Sequence, residues 1–504
     1  MLEAPHYPIV YVRGYAGSQG EVEDTVADPY MGFNLGATKI RQDWTQQVEK
    51  YVFESPLIRL MKDHGYSDVY RNGATIPTSE TPPAKSIWIY RYYEPVSKDL
   101  GAGERPEMED YARGLHDFIE QIRDHVCGPA DADDDDAQAT REAFKVYLVA
   151  HSMGGLIVRC YLQNIAPERG LTPPVDKVFT YATPHGGIDF RLVGNIPSFI
   201  QVNNTENFNE DRMRGYLKID DDDTPVTSLN DTFDERRFFC LVGTNHKDYT
   251  AASGMSRRMV GPMSDGLVQI KNAAVHRAPR AFVHRAHSGH YGIVNSEEGY
   301  QNLRRFLFGN VRVDGLLEID EILLPHKVRR AKEAGKKIRA SYYVEVIATV
   351  RGSFYHLHRR TVDEGSAFFC DYRKYVEGDR PLHLLSSFLL DMARVKKDRD
   401  SLGFGLDLRV LVPEYKVDGF LFLDDYFEGG YLFRDKFNLD LTLGAEDGSP
   451  RLRWGLDSHT PNRSARTADM TDDGDGRYTF RIPVVQDTNP GLRATLVLKA
   501  APWE

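Results

Sequence analysis

Four cysteines in 504 residues are too few to staple a chain of this size. Cys127, Cys160, Cys240 and Cys370 lie far apart and share no C-x-x-C spacing, which sets aside a disulfide framework and fits a reducing compartment. Long apolar runs are also missing: no stretch approaches the roughly 18 residues of a membrane-spanning helix. Basic excess is absent too. The formal net charge is −11, with the surplus acid gathered in runs such as Asp133 to Asp136 and Asp220 to Asp223, which argues against a nucleic-acid partner. These runs read as solvated loops, and no metal is assigned to them. No repeat of roughly 20 to 50 residues is present, so neither a propeller nor a solenoid is expected. The start, Met1-Leu2-Glu3-Ala4-Pro5-His6, enters an apparent strand at once, without the basic and apolar regions of a signal peptide. A cytoplasmic location is the expectation, although export by another route or removal of a leader would leave no trace here.

At about 150 residues per domain the length allows two or three domains, and the patterning favours two, residues 1–310 and 311–504. In the first, short apolar runs alternate with helical patterns, as in a mostly parallel sheet covered on both faces. The expected strands are Ile9 to Val12, Ile87 to Tyr92, Val146 to Val149, Val178 to Ala182, Phe238 to Val242 and Phe282 to His284. Leu115, Phe118, Ile119 and Ile122 recur at helical spacing, as do Tyr300, Leu303 and Leu307, giving stripes that pack on such a sheet. From about Val311 the period becomes two. Phe404, Leu406, Leu408, Val410 and Val412 alternate with polar residues, as do Phe437, Leu439 and Leu441, and Tyr478, Phe480, Ile482 and Val484. With turn clusters such as Asp472-Asp473-Gly474-Asp475-Gly476 between the runs, this predicts a β-sandwich.

What is present points to nucleophilic catalysis. Ala150-His151-Ser152-Met153-Gly154 follows the Val146 to Val149 run and leads into Leu156-Ile157-Val158, a strand, tight turn and helix. A serine hydroxyl is a weak nucleophile at neutral pH, and a sharp turn between strand and helix lifts its Oγ to where a base can reach it. Small residues must flank such a turn. Gly154 and Gly155 supply this on one side, while Ala150 adds one methyl group on the other.

The serine needs a base, an acid to orient that base, and backbone donors for the developing oxyanion, and in this architecture they come in the chain order Ser, acid, His. Asp265, in Ser264-Asp265-Gly266-Leu267-Val268, is the candidate acid. His290 follows the last expected strand in His290-Tyr291-Gly292-Ile293-Val294 and is the candidate base, with His287 in reserve. Val12-Arg13-Gly14-Tyr15-Ala16-Gly17-Ser18 follows the first strand, and its glycines let the backbone turn its N–H groups toward the serine. The amides of Tyr15 and Met153 are the expected oxyanion donors, the second aided by the positive end of its helix.

These stretches, together with Thr183-Pro184-His185-Gly186-Gly187, resemble the α/β-hydrolase superfamily, in its lipase and esterase branch that includes relatives of inositol deacylases. The resemblance covers roughly residues 1–310. Arg13 stands where family lipases often carry His, and Ala150 where they usually carry Gly. The resemblance implies an α/β-hydrolase fold and places His185 near the serine in a structural role. His151 is read as packing under the turn.

Residues 188–235 interrupt the alternation and read as a cap. Leu192, Ile196 and Phe199 there, with Phe33 from the Asp28 to Asn34 loop, are candidate walls of an acyl pocket, where each buried methylene is worth about 0.8 kcal/mol. The expected activity is serine-dependent hydrolysis of a carboxylic, lipid-like acyl ester through an acyl-enzyme. It needs no cofactor and no metal, and is compatible with peripheral contact at a lipid surface. An acyltransferase using the same intermediate and a non-catalytic binding protein are the rival readings. The β-sandwich carries no catalytic constellation, and oligomeric state is not legible.

Overall fold

A computed structural model describes residues 4–16, 19–42, 48–70, 82–103, 105–128, 135–188, 205–249, 263–351, 353–371, 381–393, 401–418, 425–442, 450–459 and 465–504. The chain divides into two compact units, residues 1–280 with 285–307, and residues 281–284 with 308–504.

The first unit is organised around β1 (Ile9–Val12), whose four residues are all buried. A strand covered on both faces must be apolar throughout, and Ile-Val-Tyr-Val meets that need with residues suited to extended backbone. After α1 (Gln19–Ala27) the chain makes a hairpin of β2 (Ala37–Gln42) and β3 (Val48–Phe53), in the register Lys39 to Tyr51, which the apolar patterning did not announce. Helix α2 (Pro56–His64) starts where the Ser55 hydroxyl accepts the Ile58 N–H, and stops at Gly65 in the left-handed region.

The chain continues through β4 (Ser67–Asp68), β5 (Ser86–Tyr90), α3 (Met108–Cys127), α4 (Asp135–Glu142), β6 (Val146–His151), α5 (Met153–Cys160), β7 (Val175–Tyr181), α6 (Glu210–Leu217), β8 (Phe238–Gly243), β9 (Arg280–Val283) and α7 (Glu297–Phe308). Strands β4, β5, β1, β6, β7 and β8 lie side by side in that order, and every pairing among them is parallel. Each expected strand has a counterpart: β1 has the expected ends, and the others are shifted at one end or both. β5 stops at Tyr90 rather than Tyr92 because Arg91 turns aside to bind the carbonyls of Val26, Asp28 and Pro29. Leu115, Ile119 and Ile122 form the buried stripe of α3, and Phe118 meets the Tyr90 ring at 5.6 Å.

The second unit is built from antiparallel strands: β10 (Val311–Leu323), β11 (Ile338–Val350), β12 (His356–Arg360), β13 (Phe368–Asp371), β14 (Leu382–Leu389), β15 (Ser401–Val417), β16 (Asp425–Thr442), β17 (Arg451–Leu456), β18 (Arg466–Thr467), β19 (Asp469–Gly474), β20 (Arg477–Gln486) and β21 (Gly491–Pro502). One helix, α8 (His326–Glu333), lies between β10 and β11. One sheet runs β14-β10-β21-β20-β19 and the other β12-β11-β15-β16-β17-β18, with β13 also on β11. In β15, Leu406, Leu408, Val410 and Val412 are buried, while Asp407 and Arg409 pair on the other face at 2.8 Å. A single apolar cluster joins Leu408, Val410, Phe437 and Leu439 of one sheet to Phe480, Ile482, Leu496 and Leu498 of the other, which makes the unit a sandwich. No helix among the described residues is long and apolar enough to cross a membrane.

Candidate active site

β6 delivers the serine. Ser152 sits between strand and helix with φ 53° and ψ −126°, a conformation that costs a residue with a side chain about 1–3 kcal/mol. Surrounding bonds hold it there. Its N–H donates to the Tyr181 carbonyl at 2.9 Å, and its carbonyl accepts the Gly155 N–H at 3.0 Å and the Thr183 hydroxyl at 2.9 Å. The glycines are required by approach distance: a Cβ on Gly154 would lie 2.3 Å from the Val12 carbonyl oxygen, and one on Gly155 2.3 Å from Thr183 Oγ1. Ala150 is a fully buried strand residue, so its methyl group is taken up as packing.

From Ser152 Oγ a line of hydrogen bonds runs 3.0 Å to His287 Nε2, then from His287 Nδ1 2.9 Å to Asp265 Oδ2. The other carboxylate oxygen accepts the N–H groups of Leu267 at 3.0 Å and Val268 at 2.8 Å, which fixes the carboxylate plane. All three side chains are buried, at 4, 3 and 1 % exposure for Ser152, His287 and Asp265.

His290 does not meet the serine, which corrects the sequence expectation. The reason is the loop after β9. The His287 N–H donates to the Asp265 carbonyl, the Ala286 N–H to the Tyr291 carbonyl and the Ile293 N–H to the Ala286 carbonyl. These bonds fold residues 286–293 into a tight turn with 287 at its base and 290 at its tip. His290 is exposed there, its ring 4.8 Å from that of Tyr291.

The segment after β1 lies against the serine, since a Cβ on Gly14 would stand 2.6 Å from Ser152 Cβ. Two tyrosines brace it from behind. The Tyr92 hydroxyl is 2.9 Å from the Arg13 carbonyl oxygen, and the Tyr93 hydroxyl accepts the Ala16 N–H at 2.7 Å. Burial raises the Tyr92 phenol well above its usual range and that of Tyr93 to about 12, so both keep their protons. Arg13 binds the Met31 carbonyl. Tyr15 is half-buried, with its ring 5.8 Å from Phe208 and the Arg105 guanidinium 5.7 Å above it. Met153 opens α5, where the first backbone N–H groups have no carbonyl within the helix to bond.

His151 packs behind His287, its Nε2 2.9 Å from the His287 carbonyl oxygen and its ring 5.0 Å from the His287 ring. Burial, helped by the neighbouring His287, pushes its pKa down to about 3. His185 is fully buried away from the line: its Nε2 meets Thr180 Oγ1 at 3.1 Å and its ring stands edge-on to Phe238.

Sequence reasoning passed over Arg159. It is fully buried on α5 and bound to the carbonyls of His185 at 3.0 Å, Val226 at 2.8 Å and Ser228 at 2.7 Å, and to Gln163 Oε1 at 2.9 Å. Burial lowers its pKa to about 10. Gln163 and Asn164 add bonds to the Leu217 and Tyr216 carbonyls, so residues 216–228 are packed onto the helical stretch that follows the serine. The signal available was Arg159 itself, a charge inside an otherwise apolar helical run.

Of the candidate pocket walls, Phe33 is 3 % exposed and packs on the Tyr11 ring at 4.7 Å, so it belongs to the core and not to an open wall. Leu192, Ile196 and Phe199 lie outside the described residues, as do Asp133 and Asp134. Asp220 to Asp223 are exposed.

No family model matches the chain, and no curated protein does. A lipase and a phospholipase are among its structural neighbours. A Bacillus licheniformis lipase in mature form is 16 % identical, with TM-score 0.31, over 61 % of this chain and 93 % of that one. The same lipase in propeptide form is 11 % identical, with TM-score 0.33, over 89 % of this chain and 96 % of the other. A Legionella pneumophila phospholipase is 13 % identical, with TM-score 0.32, over 84 % and 89 %. Likenesses this distant add nothing to the site's own geometry.

Proposed function

We propose that the chain is a serine hydrolase of carboxylic esters, with an α/β-hydrolase domain over residues 1–310, an insertion over 188–235 and a supporting β-sandwich over 311–504. The single observation that supports it is the unbroken hydrogen-bond line from Ser152 Oγ through His287 to Asp265, at the tip of a strained turn between strand and helix. In this reading His287 Nε2 takes the hydroxyl proton as Oγ attacks the acyl carbonyl. Asp265 holds Nδ1–H and so keeps Nε2 as the accepting nitrogen. The Tyr15 and Met153 amides face the developing oxyanion, each worth about 10² to 10³ in turnover. The protonated His287 then passes its proton to the leaving alkoxide. Water, deprotonated by the same imidazole, releases the acid and restores the serine.

No step draws on a cofactor. A lipid acyl ester is the substrate class to try first, and a p-nitrophenyl ester series of increasing acyl length reads the preference. Ser152→Ala is expected to abolish both ester hydrolysis and labelling by a fluorophosphonate probe while leaving the circular dichroism spectrum unchanged. Undiminished turnover in that variant overturns the proposal.

A further inference from the structure

We infer that His151 is a positioning residue for the base: its imidazole donates a hydrogen bond to the backbone carbonyl of His287 and so fixes where the His287 ring meets the serine. This rests on the hydrolase reading above and goes beyond it. A carbonyl oxygen can only accept, so the 2.9 Å contact between His151 Nε2 and the His287 oxygen requires the hydrogen on Nε2. That leaves Nδ1 as the lone-pair nitrogen. It faces Gly14, where an added Cβ would lie 3.0 Å away, so the ring fills the space between the segment carrying Tyr15 and the loop carrying His287. One side chain thus sets the separation of the two loops that must converge on Ser152.

The ring must do this without bringing charge. During turnover His287 becomes an imidazolium, and a second cation 5.0 Å away would oppose it. Burial, the His287 ring and the Arg13 guanidinium disfavour a proton on His151 and outweigh its hydrogen bond to the His287 carbonyl, so it remains a neutral donor. The His287 backbone is then held at two points, by its own N–H on the Asp265 carbonyl and by its carbonyl on His151. One partner, Asp265, belongs to the hydrogen-bond line and the other, His151, stands beside it, so a shift of either loop is felt at Nε2.

The test compares three variants with the full chain. In His151→Gln the side-chain amide nitrogen reaches the same place as Nε2 and keeps the donor. In His151→Asn it falls short, and in His151→Phe the ring remains without a donor. The expected result is a kcat for His151→Gln within about threefold of the parent, and a loss of about 10² for the Asn and Phe variants at unchanged KM, the scale expected when a catalytic group moves by about 1 Å. Melting temperatures report whether each variant folds. Equal kcat in the Gln and Asn variants overturns the inference, as does a Phe variant at parental activity. A second reading needs no turnover: in the histidine ¹⁵N–¹H spectrum of the parent at pH 7, His151 is expected as the neutral Nε2–H tautomer. An Nδ1–H tautomer or an imidazolium at this position overturns the inference. If the parent neither hydrolyses esters nor takes the fluorophosphonate, the hydrolase reading fails while the spectrum still decides the hydrogen bond.

Discussion

Replacing Asp265 by Asn changes one oxygen to an NH₂ group, and the surroundings dictate which. Oδ1 accepts two backbone N–H groups, from Leu267 and Val268, so an amide oxygen must occupy that place and the NH₂ group falls where Oδ2 met His287 Nδ1. A donor now faces Nδ1. The imidazole answers by moving its hydrogen to Nε2, which then points an N–H at Ser152 Oγ and has no lone pair to take the proton. The loss is therefore one of tautomer rather than of geometry. On the precedent of serine-protease triads it amounts to about 10⁴ in kcat, or about 5 kcal/mol of barrier. The two amide bonds survive, so stability should change by less than about 2 kcal/mol. Initial rates on a p-nitrophenyl ester, with a denaturant titration as control, measure both quantities. A kcat within tenfold of the parent in a folded Asp265→Asn variant would refute the assignment of Asp265 as the group that sets the His287 tautomer.

Further outcomes follow from neighbouring features. His290→Ala should leave kcat within about twofold, because the side chain stands at the exposed tip of its loop; a loss above about 10² would restore it as the base. Gly14→Ala should lower kcat by about 10² to 10³ with little change in KM, since the new methyl can enter only by pushing the Tyr15 segment away from Ser152. Arg159→Met should cost about 3–5 kcal/mol in a denaturant titration, because the carbonyls of His185, Val226 and Ser228 lose their donor inside the protein. Burial holds His64 down to about 4 and His151 to about 3, from the usual 6.5. Below pH 6.5 the unfolded chain therefore binds protons that the folded chain refuses. Stability should fall as the pH drops toward 4, by about 2 kcal/mol from each residue between pH 6.5 and 5; an unchanged urea midpoint at pH 5 would contradict this.

Much of the architecture could be read from residue patterning because burial leaves a periodic trace. Ile9 to Val12 is apolar at every position and is a strand covered on both faces, while Leu406 to Val412 alternates and forms a strand with one wet face. Ser152 was legible because its turn demands glycines at Gly154 and Gly155, and Asp265 because it stands before a glycine and an apolar pair whose amides it binds. The histidine that meets Ser152 lies three residues before the one expected. His287 and His290 share the same run between β9 and α7, and what separates them is the Ala286 to Ile293 turn, closed by backbone bonds that leave little mark on side-chain chemistry. The hairpin of β2 and β3 escaped for a related reason: Ala-Thr-Lys-Ile-Arg-Gln and Val-Glu-Lys-Tyr-Val-Phe pair with one another and lack the dense apolar content of the sheet strands. Phe33 looked like a pocket wall because loop aromatics usually are exposed, whereas Tyr11 gives this one a partner in the core.

Arg159 has a mechanical consequence. Among the described residues the ligands of this cation are neutral carbonyls and an amide, so it has no acid to follow it into water and releasing it means unmaking four bonds at once. The stretch from Val226 to Ser228 is thereby anchored to the helix that follows Ser152 and cannot leave it without breaking those bonds. Heat that loosens this anchor should therefore unseat the helix that begins at Met153 in the same step.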